Sequence, residues 1–128
     1  MKLNPDCVRD ILITVESMDY GNVWTIKHLS KCLPEYTEDE LQYHCTKLHA
    51  AGYLDAITIK MLRAPVQIAR IHDLTYEGHQ FLADIRSDTN WSKTKEIAKS
   101  VGSSSLNALK EIATGVVTSV IQNQLGLH

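Results

Sequence analysis

Cysteine is scarce: Cys7, Cys32 and Cys45 are the only three, and no two have CxxC spacing. An odd, scattered set of this kind excludes a disulfide framework and makes a reducing compartment the simplest setting. The start MKLNPDC has neither the basic nor the apolar region of a secretory signal, so a cytoplasmic protein is expected. No apolar run approaches the ~20 residues needed to cross a bilayer, so no membrane partner is expected. Charge of one sign is missing too. Thirteen Lys and Arg against fifteen Asp and Glu leave −2, which neither demands nor forbids a nucleic-acid partner. The chain holds no Gly-rich phosphate loop, nucleophile elbow or metalloprotease motif, so a non-enzymatic protein without a cofactor is expected.

What is present is an ordinary globular composition, 44% hydrophobic and 22% charged, which excludes extensive disorder. At 128 residues the chain fits one compact domain plus an appendage. Asn4, Pro5 and Asp6 supply a cap, a first-turn proline and a first-turn acid, and Val8, Ile11, Leu12 and Val15 then repeat on one helical face. Thr25 caps a second helix with Ile26, Leu29 and Leu33 inward, which Pro34 ends. Thr37 and Glu40 have capping-box spacing before a third helix whose buried stripe is Leu41, Cys45 and Leu48, and Gly52 stops it.

The runs Tyr53 to Ile59 and Val66 to Ile71 are rich in Ile, Val, Tyr and Thr and predict a β-hairpin. Thr75 caps a fourth helix with Gly78, Phe81, Leu82 and Ile85 on one face. Asn90 is the expected cap of a further segment from Trp91, and a last helix runs from about Leu106 to Gln124. Three helices closed by a hairpin predict a mainly α fold, a winged helix-turn-helix over residues 1–87, followed by a helical association tail over 88–128. Trp91 is expected at the seam between them.

MKLNPDCVRDIL, LPEYTEDELQYHCTKLHAAGYL, IHDLTYEGHQFLADIR and WSKTKEIAKSVGSSSLNAL together resemble a winged-helix domain-of-unknown-function family carried by bacteria and their phages and prophages. The resemblance spans nearly the whole chain. It implies a winged helix in the cytoplasm of a bacterial host cell, and no reaction, cofactor or catalytic residue.

In such a fold the outward residues of the third helix enter the major groove while the wing contacts phosphate. Here they are Gln42, Tyr43, Thr46, Lys47 and His49, with Lys60, Arg63 and Arg70 on the hairpin. Gln suits adenine, Thr a thymine methyl group, and the others the backbone, so double-stranded DNA is the first expected partner and a regulator the expected role. The first turn opposes this. From Thr25 to Ala51, Lys27, Lys31 and Lys47 face Glu35, Glu38, Asp39 and Glu40, three cations against four anions. The alternative is therefore a protein-binding module, an antitoxin or an inhibitor of a host defence protein, that presents Glu35, Glu38, Asp39 and Glu40 to a basic partner.

In the last helix Leu106, Leu109, Ala113, Val116 and Val120 keep a 3-4-3-4 spacing, and Ile112, Val117 and Ile121 widen the stripe. One small domain covers so wide a face with difficulty, so a homodimer or higher oligomer through this helix is expected. Cys45 and His49 are four apart on a helix, with His44, Cys32 or Cys7 as further ligands, but Cys45 belongs to the buried stripe and no metal site is expected.

Overall fold

Oδ1 of Asn4 accepts hydrogen bonds from the amides of Asp6 and Cys7, at 3.0 and 3.5 Å, and so starts the first helix where the cap residue falls. The structure is a computed structural model that describes residues 1–126. Its elements are α1 (Pro5–Glu16), α2 (Ile26–Cys32), α3 (Glu38–Ala50), β1 (Leu54–Ile59), β2 (Gln67–Leu74), α4 (Tyr76–Ile85), α5 (Asp88–Val101) and α6 (Leu106–Gln124). The protein is mainly helical with one two-stranded antiparallel sheet. Capping boxes open α2, through Thr25 and His28, and α3, through Thr37 and Glu40. Gly52, at φ 87°, lets the chain leave α3 in the left-handed conformation and enter β1.

The hairpin breaks the two-residue period expected of strands. Ile68, Ile71 and Leu74 are the buried residues of β2, three apart, because the register shifts between Asp55 and Ala56 and again between Ile57 and Thr58. Each irregularity sets one extra residue into the ladder and turns the next apolar side chain back to the core. β2 also runs to Leu74, beyond the Ile71 predicted, since Leu54 pairs with Leu74 beside the α4 entrance. Its other edge is partly covered: Trp24 and Ile71 exchange backbone hydrogen bonds of 2.9 and 2.7 Å.

α1 lies at the centre, with Cys7, Val8, Ile11, Leu12 and Val15 all fully buried. α4 packs close to the start of β1. A Cβ on Gly78 would stand 2.0 Å from the Tyr53 carbonyl oxygen, so only glycine permits this approach. Tyr53 in turn lies 5.1 Å from Phe81, ring centre to ring centre.

The cap of α5 is Ser87, whose hydroxyl accepts from the Asn90 amide at 3.0 Å; Asn90, the residue expected to cap, sits inside the first turn. Asp88 then adds a carboxylate at the positive end of the helix dipole. The expected division at residue 87 does not divide the core. Trp91, Ala98, Leu109 and Ala113 belong to the same buried cluster as α1 and α4, so α5 and α6 continue the body of the molecule. Trp91 does lie at the seam, 4% exposed, and its indole N–H donates to Asp6 on α1 at 2.9 Å.

The same seam is tied by Arg9. Its guanidinium donates to the carbonyls of Ile85 and Arg86 at 2.9 and 2.6 Å and to the Asp88 carboxylate at 2.9 Å, capping the end of α4 and the start of α5 at once. Lys95 adds a 2.9 Å ion pair with Asp6. Partial burial pushes the Asp6 carboxyl up, but the hydrogen bonds from Lys95 and Trp91 and the charges of Lys95 and Arg9 outweigh it and hold the group below its usual 3.8. Arg86 pairs with Glu16 and lowers that carboxyl too, against a smaller effect of burial.

Candidate interaction surface

The outward face of α3 and the hairpin meet along a groove of about 590 Å³, with Tyr43 and Thr46 on one wall, Pro65 and Val66 on the other, and Asp39 and Lys47 also at its margin. Eight residues of this region are the ones expected to read DNA. The structure gives them unequal freedom.

Gln42 is not free. Its Oε1 accepts from the Ile68 amide at 2.8 Å and its Nε2 donates to the Ile68 carbonyl at 3.5 Å, so the side-chain amide pairs with the edge of β2 as a neighbouring strand would. Both ends of the Gln42 amide are thus engaged inside the protein, so the adenine contact expected of Gln42 would have to share or break these bonds. The Thr46 hydroxyl donates to the Gln42 carbonyl at 2.7 Å, which leaves only its methyl group outward. His49 donates Nδ1–H to the Leu54 carbonyl at 3.1 Å and ties the end of α3 to β1. Lys60 turns back on its own loop, donating to the carbonyls of Met61 and Ala64.

Three of the eight remain open, and Tyr43 is partly buried. Lys47 is exposed, with its ammonium 5.3 Å from the centre of the Tyr43 ring. Arg63 stands at the hairpin tip in the left-handed region, φ 61°, and Arg70 is exposed on β2 opposite Ile57. Among the described residues none of Lys47, Arg63 and Arg70 has a carboxylate within ion-pairing distance.

The acidic turn is also divided. Glu40 is engaged in the capping box, its carboxylate accepting from the Thr37 amide at 3.1 Å. Glu35, Glu38 and Asp39 are exposed, and no ion pair holds them among the described residues. Of the three, Asp39 lines the groove at the α3 start.

Sequence reasoning missed the apolar hairpin tip. Ile59, Met61, Leu62 and Val66 are 49%, 65%, 92% and 41% exposed, and Ile57 adds to the same flap. Their β-branched and apolar character was visible, but it reads equally as a buried strand, and only the position of the turn away from the core puts them in water. His44, weighed only as a metal ligand, has a structural place that the sequence did not disclose. It is 1% exposed, donates Nδ1–H to the Glu40 carbonyl at 2.7 Å and accepts the Asn4 amide on Nε2 at 2.8 Å, which fixes its tautomer and ties the start of α1 to α3.

Cys45 and Cys7 are buried, and burial pushes both thiols up, Cys7 to about 12, while Cys32 is exposed on α2. Among the described residues no three His, Cys, Asp or Glu side chains cluster as a metal site, and no helix is long and apolar enough to cross a membrane.

The expected association face of α6 is split in two. Leu109, Ala113 and Val116 are buried against their own chain and are corrected to core positions, while Leu106 and Ile112 are partly buried and pack on the same core. Val117 is partly buried, and Val120 and Ile121 are 40% and 51% exposed.

Residues 2–105 match the family described as "Hypothetical protein (DUF2513)". The chain therefore belongs to that family of proteins with a domain of unknown function. It is also 32% identical, over 94% of its own length and 99% of the relative, to an uncharacterized protein of Haemophilus influenzae. No solved structure matches it significantly.

Proposed function

We propose that the protein is a non-catalytic winged-helix module that binds another protein through the groove between α3 and the hairpin. The winged-helix reading rests on the order of α1, α2, α3 and the hairpin and on the Trp24–Ile71 bridge, which adds a one-residue third strand beside β2. The observation that carries the protein-binding reading is Gln42 closed on Ile68 beside an apolar groove and an apolar tip. A DNA-reading helix needs free polar ends and a basic approach, whereas exposed Ile59, Met61, Leu62 and Val66 are what a desolvated protein interface buries. Exposed Glu35, Glu38 and Asp39 set the sign of the partner's rim, which is basic. In a phage- or prophage-borne setting, such a face suits an antitoxin or an inhibitor of a host defence protein.

The second reading is duplex DNA held from the hairpin side, and exposed Lys47, Arg63 and Arg70 favour it. Affinity capture from nuclease-treated bacterial lysate, beside titration of random duplex at two salt concentrations, separates the readings. Protein binding requires a protein captured by the wild type and lost with Leu62→Asp and with the pair Glu38→Lys and Asp39→Lys. Tight, salt-dependent duplex binding that the charge reversal strengthens, with no captured protein, overturns it in favour of DNA.

A further inference from the structure

The two edges of the hairpin differ. On β2 the N–H and C=O of Ile71 bond to Trp24, and those of Ile68 bond to the Gln42 amide, so both residues turn their main-chain groups away from β1 and have them engaged. In an antiparallel ladder, residues directly opposite turn these groups either toward each other or both outward. Ala56 stands opposite Ile71 and Thr58 opposite Ile68, so the N–H and C=O of Ala56 and Thr58 point to the free edge of β1. Leu54 has the same parity, and its carbonyl accepts from His49 at that edge. Among the described residues nothing bonds the main chain of Ala56 or Thr58.

Sheet edges are ordinarily blunted by proline, lysine, a bulge or a cover. From Ala56 to Ile59 the sequence AITI holds no proline and no charge, and the register shifts put their extra residues, His72 and Ala69, on β2. Four unpaired main-chain groups along a regular strand match one kind of occupant, another strand. The outward side chains say which strand. Asp55, Ile57 and Ile59 share one face, with Ile57 and Ile59 48% and 49% exposed. Asp55 has no ion-pair partner among the described residues and lines, with Asp19, Asp73 and His72, a hollow of about 270 Å³, so this end of the edge favours a cation. A second copy of β1 does not supply one. Paired antiparallel about a two-fold axis, it sets Asp55 against Asp55, Ile57 or Ile59 and leaves the carboxylate unmatched.

We propose that the free edge of β1 is a strand-addition site whose occupant is an extended, antiparallel segment of another protein. The segment bonds to the main chain of Ala56 and Thr58, sets apolar side chains beside Ile59 and Ile57, and sets a Lys or Arg beside Asp55. No residue of β1 lines the α3–hairpin groove, so the site is independent of that reading.

The probe is the peptide acetyl-Ser-Val-Thr-Val-Thr-Lys-Ser-amide, titrated into the isotope-labelled full chain and followed by amide NMR. Its two Val and its Lys fall opposite Ile59, Ile57 and Asp55, and its two Thr opposite Thr58 and Ala56. Saturable shifts of the Ala56 and Thr58 amides are expected, with a dissociation constant of about 1 mM or tighter. N-methylation of the two Thr abolishes binding and N-methylation of the two Val does not, because only the Thr amides face β1. Changing the peptide Lys to Glu weakens binding at least about tenfold, and Asp55→Lys reverses that preference. Thr58→Pro removes an N–H that lies outside the β1–β2 ladder, so it weakens binding as much while leaving the circular dichroism unchanged. No β1 shift up to about 5 mM peptide, binding indifferent to Thr methylation, shifts confined to Tyr43, Val66 and Gln67 in the groove, or β1 shifts that rise with protein concentration alone, as self-pairing gives, overturn the proposal.

Discussion

Arg9 and Leu62 mark two opposite ways of building a surface within one small chain. Around Arg9, at the junction of α1, α4 and α5, carbonyls, carboxylates and an indole N–H all find partners inside the molecule, and its side chain is only 15% exposed. Around Leu62, 92% exposed at the hairpin tip, apolar side chains lie in water and Arg63 and Arg70 have no carboxylate partner among the described residues. The junction is finished as a fold. The hairpin side leaves apolar side chains and cations open to water, the kind of surface on which a binding site is proposed.

If that contrast holds, substitutions at the junction change stability and substitutions at the hairpin change binding alone. The largest effect comes from Gly78→Ala. Alanine gains up to about 1 kcal/mol of helix propensity, but its Cβ meets the Tyr53 carbonyl at 2.0 Å, and the clash wins: a loss of about 3 kcal/mol or more in urea unfolding is expected. A neutral result would mean that α4 and β1 do not touch as described. Arg9→Met, which removes charged donors from two carbonyls while keeping the apolar stem, costs about 2 kcal/mol by the same measurement. Trp91→Phe retains most of the buried ring and loses only the bond to Asp6, so about 1 kcal/mol is expected.

Leu62→Asp shifts the unfolding midpoint by no more than about 0.5 kcal/mol, yet removes partner capture; a marked destabilisation there would erase the distinction between the two regions. The smallest effect is with pH. Asp6 and Glu16 both sit below their usual values, so each contributes stability above its unfolded pKa and loses it as pH falls through about 4 toward the lower folded value. Asp6→Asn removes this contribution at neutral pH and flattens the acid limb of the stability curve, which thermal melts from pH 6 to pH 2 would reveal.

The finished region is also the part most legible in the sequence. Asn4, Thr25, Thr37 and Thr75 all cap the helices expected of them, and the stripe Val8, Ile11, Leu12 and Val15 is buried throughout. These signals are local, made by neighbours three or four residues apart. Gly78 was readable as inward-facing, but the reason for glycine depends on the carbonyl of Tyr53, which only the folded chain brings near. Ser87 and Asn90 are both good caps three residues apart, and propensity alone does not choose between them.

On the open side the same local logic misled. Gln42 occupies an outward helical position, and nothing in its neighbours discloses that its amide reaches a strand 26 residues away. Register shifts in the hairpin likewise conceal a three-residue burial rhythm beneath what reads as a simple alternating strand. In the tail the apolar stripe is uniform in sequence, but its burial ends between Val116 and Val120, which spacing alone does not disclose.

The Gln42 clasp has a mechanical consequence. Because a side-chain amide on α3 holds the backbone of β2 at both its polar groups, the helix and the flap cannot slide or open relative to one another without breaking two bonds together. Under the proposed function, a partner would meet a cleft already held at a fixed width, so little freedom would be lost on docking.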